Sequence, residues 1–330
     1  MDTASELPAV CCAPGRDGMG ARQVVGRPVP VEGTRAVTLG VRHSVEQVVI
    51  PAQTFLMGDA QGAGRLADGE LPVHRIELEQ FSIDATSVTN ADFARFAEDT
   101  GFRTEAETFG FSAVFHLALR ADKADVIGSP AATPWWLGVR GADWSHPGGA
   151  QSALEGLSDH PVVHISWNDA LAYCQWAGRA LPTEAQWECA SRGGLESARY
   201  PWGDVLGENW ACNIWQGTFP TINTEADGWL TTAPVRSYEP NGYGLWQTVG
   251  NVWEWCADWW DPNYYQHSPR REPPGPESGE VKVLRGGSYL CHDSYCNRYR
   301  NSARSSNSSD SSMGNAGFRT VSLKADSDRA

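Results

Sequence analysis

From Tyr200 onward the sequence leaves almost no room for a long helix. Tryptophans stand at 202, 210, 215, 229, 246, 253, 255, 259 and 260, separated by Gly, Pro, Asn and Asp. Rings of that size need a shared interior, and the residues between them set turns. This half of the chain must therefore fold as loops and short segments that wedge tryptophans between them. The bias runs through the whole chain of 330 residues, which holds 34 Gly, 20 Pro and 15 Trp. A hydrophobic share of 41% is enough to bury a substantial core. The expectation is an α+β class: one domain with little regular secondary structure.

Ahead of Tyr200 the signals alternate. VVIPAQTFLMGD (48–59) reads as a strand, a turn and a second strand, and VHRIELEQFSID (73–84) as a further strand. Thr89-Asn90 opens ADFARFAEDTG, in which Phe93, Phe96 and Ala97 share a helical face and Gly101 ends it. Residues 104–160 have weak periodicity and read as a long irregular excursion. PVVHISW (161–167) reads as a short buried strand, then a helix capped by Asn168 or Asp169, and a second helix capped by Thr183 and stopped by Gly193. KVLRGGSYL (282–290) reads as a strand, and MGNAGFRTVSL as holding one more. There is no internal repeat. Residues 1–43 read as a mobile tail, 44–325 as the domain, and 326–330 as a frayed end.

The net charge of −14 argues against nucleic acid as a partner, because phosphate binding needs clustered Lys and Arg. No apolar run approaches the ~18 residues that span a bilayer. The first residues lack the basic and apolar regions of a secretory signal. Eight cysteines in so long a chain are too sparse for a disulfide scaffold. A cytoplasmic protein with reduced thiols is expected, and a monomer, since no amphipathic pairing helix stands out.

The sharpest local feature is Cys291-His292-Asp293-Ser294-Tyr295-Cys296. Two thiols five residues apart on a loop after a strand can meet at one point. Spacing alone leaves three outcomes open: a disulfide, a soft metal, or separate thiols. Two sulfurs without further ligands suit Cu(I), whereas tetrahedral zinc needs two more donors.

The wider sequence resembles the formylglycine-generating enzymes, or sulfatase-modifying factors. LRGGSYLCHDSYCNRYR (284–300) is similar to that family's signature. MGD (57–59), HPVVHISWNDALAYCQWAGRALPTEAQWE (160–188), RYPWGD (199–204), CNIWQGTFP (212–220), PNGYGLW (240–246) and GNVWEWCADWW (250–260) resemble family segments in family order, covering residues 46–322. The resemblance implies the family's own fold, within the C-type-lectin-like superfamily. It implies an oxidase that converts the cysteine of Cys-x-Pro-x-Arg in unfolded sulfatase polypeptides to formylglycine, using O2 and a thiol reductant. Cys291 and Cys296 would hold Cu(I), which the substrate thiolate joins; Ser288, Trp253, Tyr295 and Asn315 would line the site and position thiol and oxygen.

The resemblance also implies two Ca(II) sites. The first would use Asn213, Asp227 and the carbonyls of Ile214 and Trp229. The second would use Glu254, Gln247 and the carbonyls of Gly250 and Val252. Gln247 departs from the family's usual Asn, and its extra methylene shifts the reach of the oxygen. Asn301 and Thr320 stand where secretory relatives have disulfide cysteines, which fits a reducing cytoplasm. In the tail, Cys12-Ala13-Pro14-Gly15-Arg16 matches the substrate pattern, so the chain's own tail is a candidate intramolecular substrate or pseudosubstrate. Two other readings share the fold. An iron-dependent sulfoxide synthase needs a helical domain with ligating histidines that a 43-residue tail cannot supply. A non-catalytic binding protein would have no use for the cysteine pair beside Ser288.

Overall fold

Four helices among the described residues open on the same device, a side chain that caps the first turn and is capped in return. The computed structural model describes residues 13–19, 42–207 and 210–323. In chain order come β1 (Gln47–Ile50), β2 (Gln53–Met57), β3 (His74–Leu78), β4 (Phe81–Asp84), α1 (Asn90–Thr100), α2 (Glu105–Phe109) and β5 (Phe111–Phe115). Then follow β6 (Val126–Gly128), β7 (Trp136–Arg140), α3 (Trp167–Ala177), β8 (Arg179–Ala180) and α4 (Glu184–Ser191). The Trp-rich half contributes β9 (Gly217–Thr218), β10 (Ile222–Asn223), β11 (Trp253–Trp259), β12 (Lys282–Arg285), β13 (Arg304–Asn307), β14 (Ala316–Gly317) and β15 (Val321–Ser322). The capping pairs are Thr89/Asp92, Thr104/Glu107, Ser166/Asp169 and Thr183/Gln186. Glycines in the left-handed conformation end α1, α2 and α3.

Two four-stranded sheets organise the molecule, in the orders β1-β4-β15-β8 and β13-β12-β11-β14. A β2-β3 hairpin, a β5-β7-β6 sheet and a β9-β10 hairpin surround them. In the central sheet β11 pairs antiparallel with β12 and parallel with β14. Trp136, Trp187, Trp215, Trp253 and Trp255 are wholly buried in the core. The α+β class and sparse regular structure therefore hold.

Several boundaries differ from the sequence reading. The 73–84 stretch is two strands in two sheets, since β3 pairs with β2 while β4 pairs with β1. Residues 104–160 contain α2 and a three-stranded sheet rather than an irregular excursion, because β5 and β7 pair along five residues. Residues 161–167 are buried but form no strand; the backbone turns at His164, with φ 60°. The cap of α3 is Ser166, whose hydroxyl accepts from Asp169 N–H at 3.0 Å, and α4 ends at Arg192. WEWCADW is a seven-residue strand at the centre of a sheet, not a turn. The final stretch holds two short strands, β14 and β15.

Part of the expected mobile tail is seated instead. Ala13 and Met19 are 0% and 1% exposed, and Arg16–Met19 makes a 3-10 turn against β5. Cys12, the remainder of residues 1–41 and the expected frayed end lie outside the described residues. No helix of the described residues is long and apolar enough to cross a membrane.

The interior also holds paired charges. Arg285 bridges Glu184 at 2.9 Å and Glu188 at 2.5 Å, and Arg304 reaches both oxygens of Glu184 at 2.5 and 2.9 Å. These contacts clamp α4 to β12 and β13. Removing one partner leaves a desolvated charge exposed to no counter-ion. Glu184→Leu should therefore destabilise the fold by about 3–5 kcal/mol. A urea midpoint shifted at unchanged slope measures this, and a cost of ~1 kcal/mol or less, as for a surface pair, would contradict it.

Candidate active site: a buried cysteine pair

The site begins where β12 stops. Gly286 and Gly287 take φ 94° and 73° and turn the chain inward. A Cβ on Gly287 would stand 2.6 Å from the Arg298 carbonyl and 3.1 Å from Cys291 Sγ, so the turn accepts only glycine. It delivers Ser288 and then Cys291, whose N–H donates to Ser288 O at 2.9 Å. Cys296 N–H donates to His292 O at 2.7 Å and closes the loop as a β-bridge. The Cys296 thiol then donates to Cys291 Sγ at 3.3 Å, with both residues 0% exposed. Ser288 N–H also points at Cys291 Sγ, at 3.4 Å. The two cysteines are not joined in a disulfide. Among the described residues no three His, Cys, Asp or Glu side chains cluster as metal ligands. The pair is thus a two-sulfur donor set, which suits a soft low-coordinate ion and not tetrahedral zinc.

The other expected residues converge on this pair from three elements. Asn315, just before β14, donates from Nδ2 to Ser288 Oγ at 3.0 Å. The Asn315 carbonyl accepts from the N–H of Trp253, the first residue of β11, at 2.8 Å. The Trp253 ring is buried, and its indole N–H has no hydrogen-bond partner among the described residues. A buried donor of that kind marks a place for a bound group. Tyr295 closes another side, its ring stacked on Phe219 with centroids 4.2 Å apart and edged by Trp135 at 5.2 Å.

Two paired arginines fix the chain beyond Cys296. Arg298 holds Asp68 through Nε and NH2, both at 2.7 Å, and Arg300 holds both oxygens of Glu70 at 2.7 and 2.8 Å. Such bidentate pairs orient as well as attract. Sequence reading missed Asp68, Glu70, Phe219 and Trp135. The alternation of arginines in Cys296-Asn-Arg-Tyr-Arg was the available signal, since two buried guanidiniums require two buried carboxylates.

The floor behind Asn315 is a neutral hydrogen-bond chain. His164 is wholly buried, bonding Pro147 O at 2.8 Å and Ser112 Oγ at 2.7 Å. A carbonyl only accepts, so Nε2 carries the proton and Nδ1 accepts from the Ser112 hydroxyl. Ser112 in turn accepts from Ser312 Oγ at 2.7 Å. His164 N–H also donates to Met313 O at 2.9 Å, so it holds the strand that carries Asn315.

The expected calcium ligands fall into two clusters. In the first, Gln216 joins them: its amide donates to Ile214 O at 2.7 Å and its oxygen accepts from Asp227 N–H at 3.1 Å. Asp227 also accepts from Trp229 N–H at 3.1 Å and from the Tyr238 hydroxyl at 2.8 Å. Asn213 is buried and bonds Thr231 O at 2.8 Å. In the second, Gln247 donates to Pro234 O at 2.6 Å, while its buried Oε1 has no partner among the described residues. Glu254, however, already accepts from both Arg319 nitrogens at 2.6 and 2.9 Å, from Trp187 at 2.7 Å and from Ser87 at 2.7 Å. Its charge is compensated without a cation. Gly250 and Val252 flank Asn251, whose side chain ties Ala233 and Asn213 together.

Comparison with known proteins places this site in context. The family model of the sulfatase-modifying factor enzyme 1-like domain matches residues 36–324. The chain is 62% identical over 280 residues to the formylglycine-generating enzyme of Streptomyces coelicolor, covering 84% of this chain and 89% of that one. It is 50% identical over 277 residues to the formylglycine-generating enzyme of Thermomonospora curvata, covering 82% and 91%. Among solved structures, PvdO from Pseudomonas aeruginosa shares the fold with a TM-score of 0.63 at 21% identity, over 88% of this chain and 99% of that one.

Burial pushes the His164 pKa down to about 4 from an ordinary 6.5, against smaller opposing effects from the Pro147 carbonyl and Asp143. The folded form thus binds fewer protons than the unfolded one between those values. Stability from this residue is complete above pH 6.5 and lost as pH falls towards 4, by about 3 kcal/mol. The stability difference between the wild type and His164→Gln should shrink by that amount from pH 7 to pH 4. A difference that stays flat over the range would show that His164 titrates normally.

Proposed function

The chain belongs to the sulfatase-modifying factor family, and from that premise we propose that it is an enzyme converting a cysteine of sulfatase polypeptides to formylglycine. The observation that carries the reading is the buried Cys291–Cys296 pair, with sulfurs 3.3 Å apart beside Ser288 and Asn315. The finer proposal is that the pair holds Cu(I) and that the substrate cysteine lies in a Cys-x-Pro-x-Arg segment. Copper bound there would supply the activation of O2 and the redox partner for the substrate thiol.

The protein's own groups would then do the positioning. Cys291 and Cys296 present two sulfurs in a dry pocket that favours a soft ion. Ser288, held by the Asn315 amide, offers a fixed hydroxyl beside the sulfurs. The unpartnered indole N–H of Trp253 can donate to a bound group. Tyr295, fixed by stacking on Phe219, limits where a thiol can sit. A cellular thiol would serve as reductant.

For calcium, the proposal is stronger at the first cluster, where Asn213, Asp227 and the Ile214 and Trp229 carbonyls share one loop system. At the second, Gln247 Oε1 and the carbonyls of Gly250 and Val252 would supply oxygens beside Glu254. Six described cysteines without a disulfide support placing the protein in the cytoplasm. We propose that it works as a monomer.

The test is to incubate Cu(I)-loaded protein in air with a Cys-x-Pro-x-Arg peptide and a thiol. The peptide should show the mass change of a CH2–SH group becoming CHO, and Cys291→Ala and Cys296→Ala should each abolish it. An unchanged peptide, with Cu(I) binding verified separately, would overturn the oxidase reading.

A further inference from the structure

The seated part of the tail has the form of a bound peptide. Residues 13–19 lie in a groove walled on one side by α2 and β5, and on the other by residues 307–313. The Pro14 carbonyl accepts from Asn307 Nδ2 at 3.1 Å. The Arg16 N–H donates to Ser311 Oγ at 3.0 Å. The Arg16 guanidinium meets Asp310 at 2.8 Å and lies over the Phe109 ring at 4.3 Å. Ser308 steadies Asp310 with a hydroxyl hydrogen bond of 2.8 Å. Backbone contacts, an acidic seat and an aromatic plate together read an arginine in an extended segment.

The groove is built for this occupant. A Cβ on Gly128 would stand 2.9 Å from Met19 O, and one on Gly138 would stand 3.1 Å from Met19 Cβ. Neither glycine has a left-handed backbone that would itself demand glycine, so the two bare positions on β6 and β7 serve the approach of Met19. The gap left between segment and walls is about 10 Å³, room for no more than one water.

The groove also leads to the cysteine pair. Its wall runs from Asp310 through Ser312 and Met313 to Asn315, which bonds Ser288. Five residues span at most about 18 Å, and the four steps from arginine to cysteine in Cys-x-Pro-x-Arg at most about 14 Å. A peptide with its arginine on Asp310 is therefore of the right length to bring its cysteine towards Ser288. Pro14-Gly15-Arg16 reproduces the Pro-x-Arg half of that pattern; Cys12 lies outside the described residues.

We propose that this groove seats the Pro-x-Arg half of the substrate peptide, with Asp310 and Phe109 as the arginine subsite, and that residues 13–19 are its resident competitor. This rests on the reading of the protein as a formylglycine-generating enzyme. A groove free for about a tenth of the time weakens apparent substrate affinity about tenfold.

Two measurements on the full chain test it. The first is binding of a labelled Ser-x-Pro-x-Arg peptide, which cannot be oxidised at sulfur. Arg16→Ala should tighten binding by about tenfold and lower KM for the Cys peptide at unchanged kcat. Adding Asp310→Asn to Arg16→Ala should weaken binding again. The second is amide hydrogen exchange of residues 13–19, whose protection should fall when the peptide saturates the groove. Affinity unchanged by Arg16→Ala, with exchange of 13–19 indifferent to peptide, would overturn the proposal. Neither binding readout needs turnover. Failure of every variant to convert the Cys peptide would instead defeat the enzymatic reading.

Discussion

Buried arginine–carboxylate pairing is the interaction on which this molecule depends. Arg285, Arg298, Arg300, Arg304 and Arg319 are all in the interior, and each has a carboxylate partner within 3.0 Å. A fold with short strands and long loops has few ladders to fix its backbone, so something else must set the relative positions of distant segments. Bidentate guanidinium pairs do so with directional bonds. Arg298 and Arg300 tie the cysteine loop to residues 68–70, and Arg319 ties the C-terminal strand to β11 through Glu254. The pairs are costly to break and of modest net benefit when intact, so their role is to specify one arrangement.

That rigidity matters for the site. The two sulfurs meet because Gly286 and Gly287 turn the chain after β12 and because the loop beyond Cys296 is anchored at two arginines. Ser288, Asn315 and Trp253 meet them through one side-chain and one backbone hydrogen bond. Each belongs to a different element, and each element is held by the central sheet or the ion pairs. The arrangement is preorganised for its ligand rather than assembled around it. The tail groove shares the same wall, since the strand that carries Ser312 and Met313 continues to Asn315.

Much of this was legible in the residues. The cysteine loop, the turn glycines before it and the serine between them lie in one continuous stretch, so spacing alone brought them into view. Helix starts were legible where a Thr precedes an acidic or amide residue by three, as at Thr89 and Thr183. The cap of α3 was misplaced because Asn168 and Asp169 are themselves good caps, and only the reciprocal bonds single out Ser166. The strand Trp253–Trp259 was hidden because it is buried on both faces, which removes the alternation that marks a strand. The sheet within 104–160 was hidden because β5 and β7 are joined by a connection holding two short 3-10 turns, which masks the hairpin period.

The sequence by itself determined the class of fold, the chain segments that resemble the family, and the two thiols with their neighbouring serine. These are local facts, set by residue type and spacing. Only the tertiary structure decided that Asp68 and Glu70 anchor the loop, that Glu254 is already compensated by Arg319, and that His164 stays neutral behind Asn315. It alone seated residues 13–19 in a groove that ends at Asp310. Those outcomes join residues tens to hundreds of positions apart, and their energies depend on burial and partner geometry, which no spacing rule along a chain encodes.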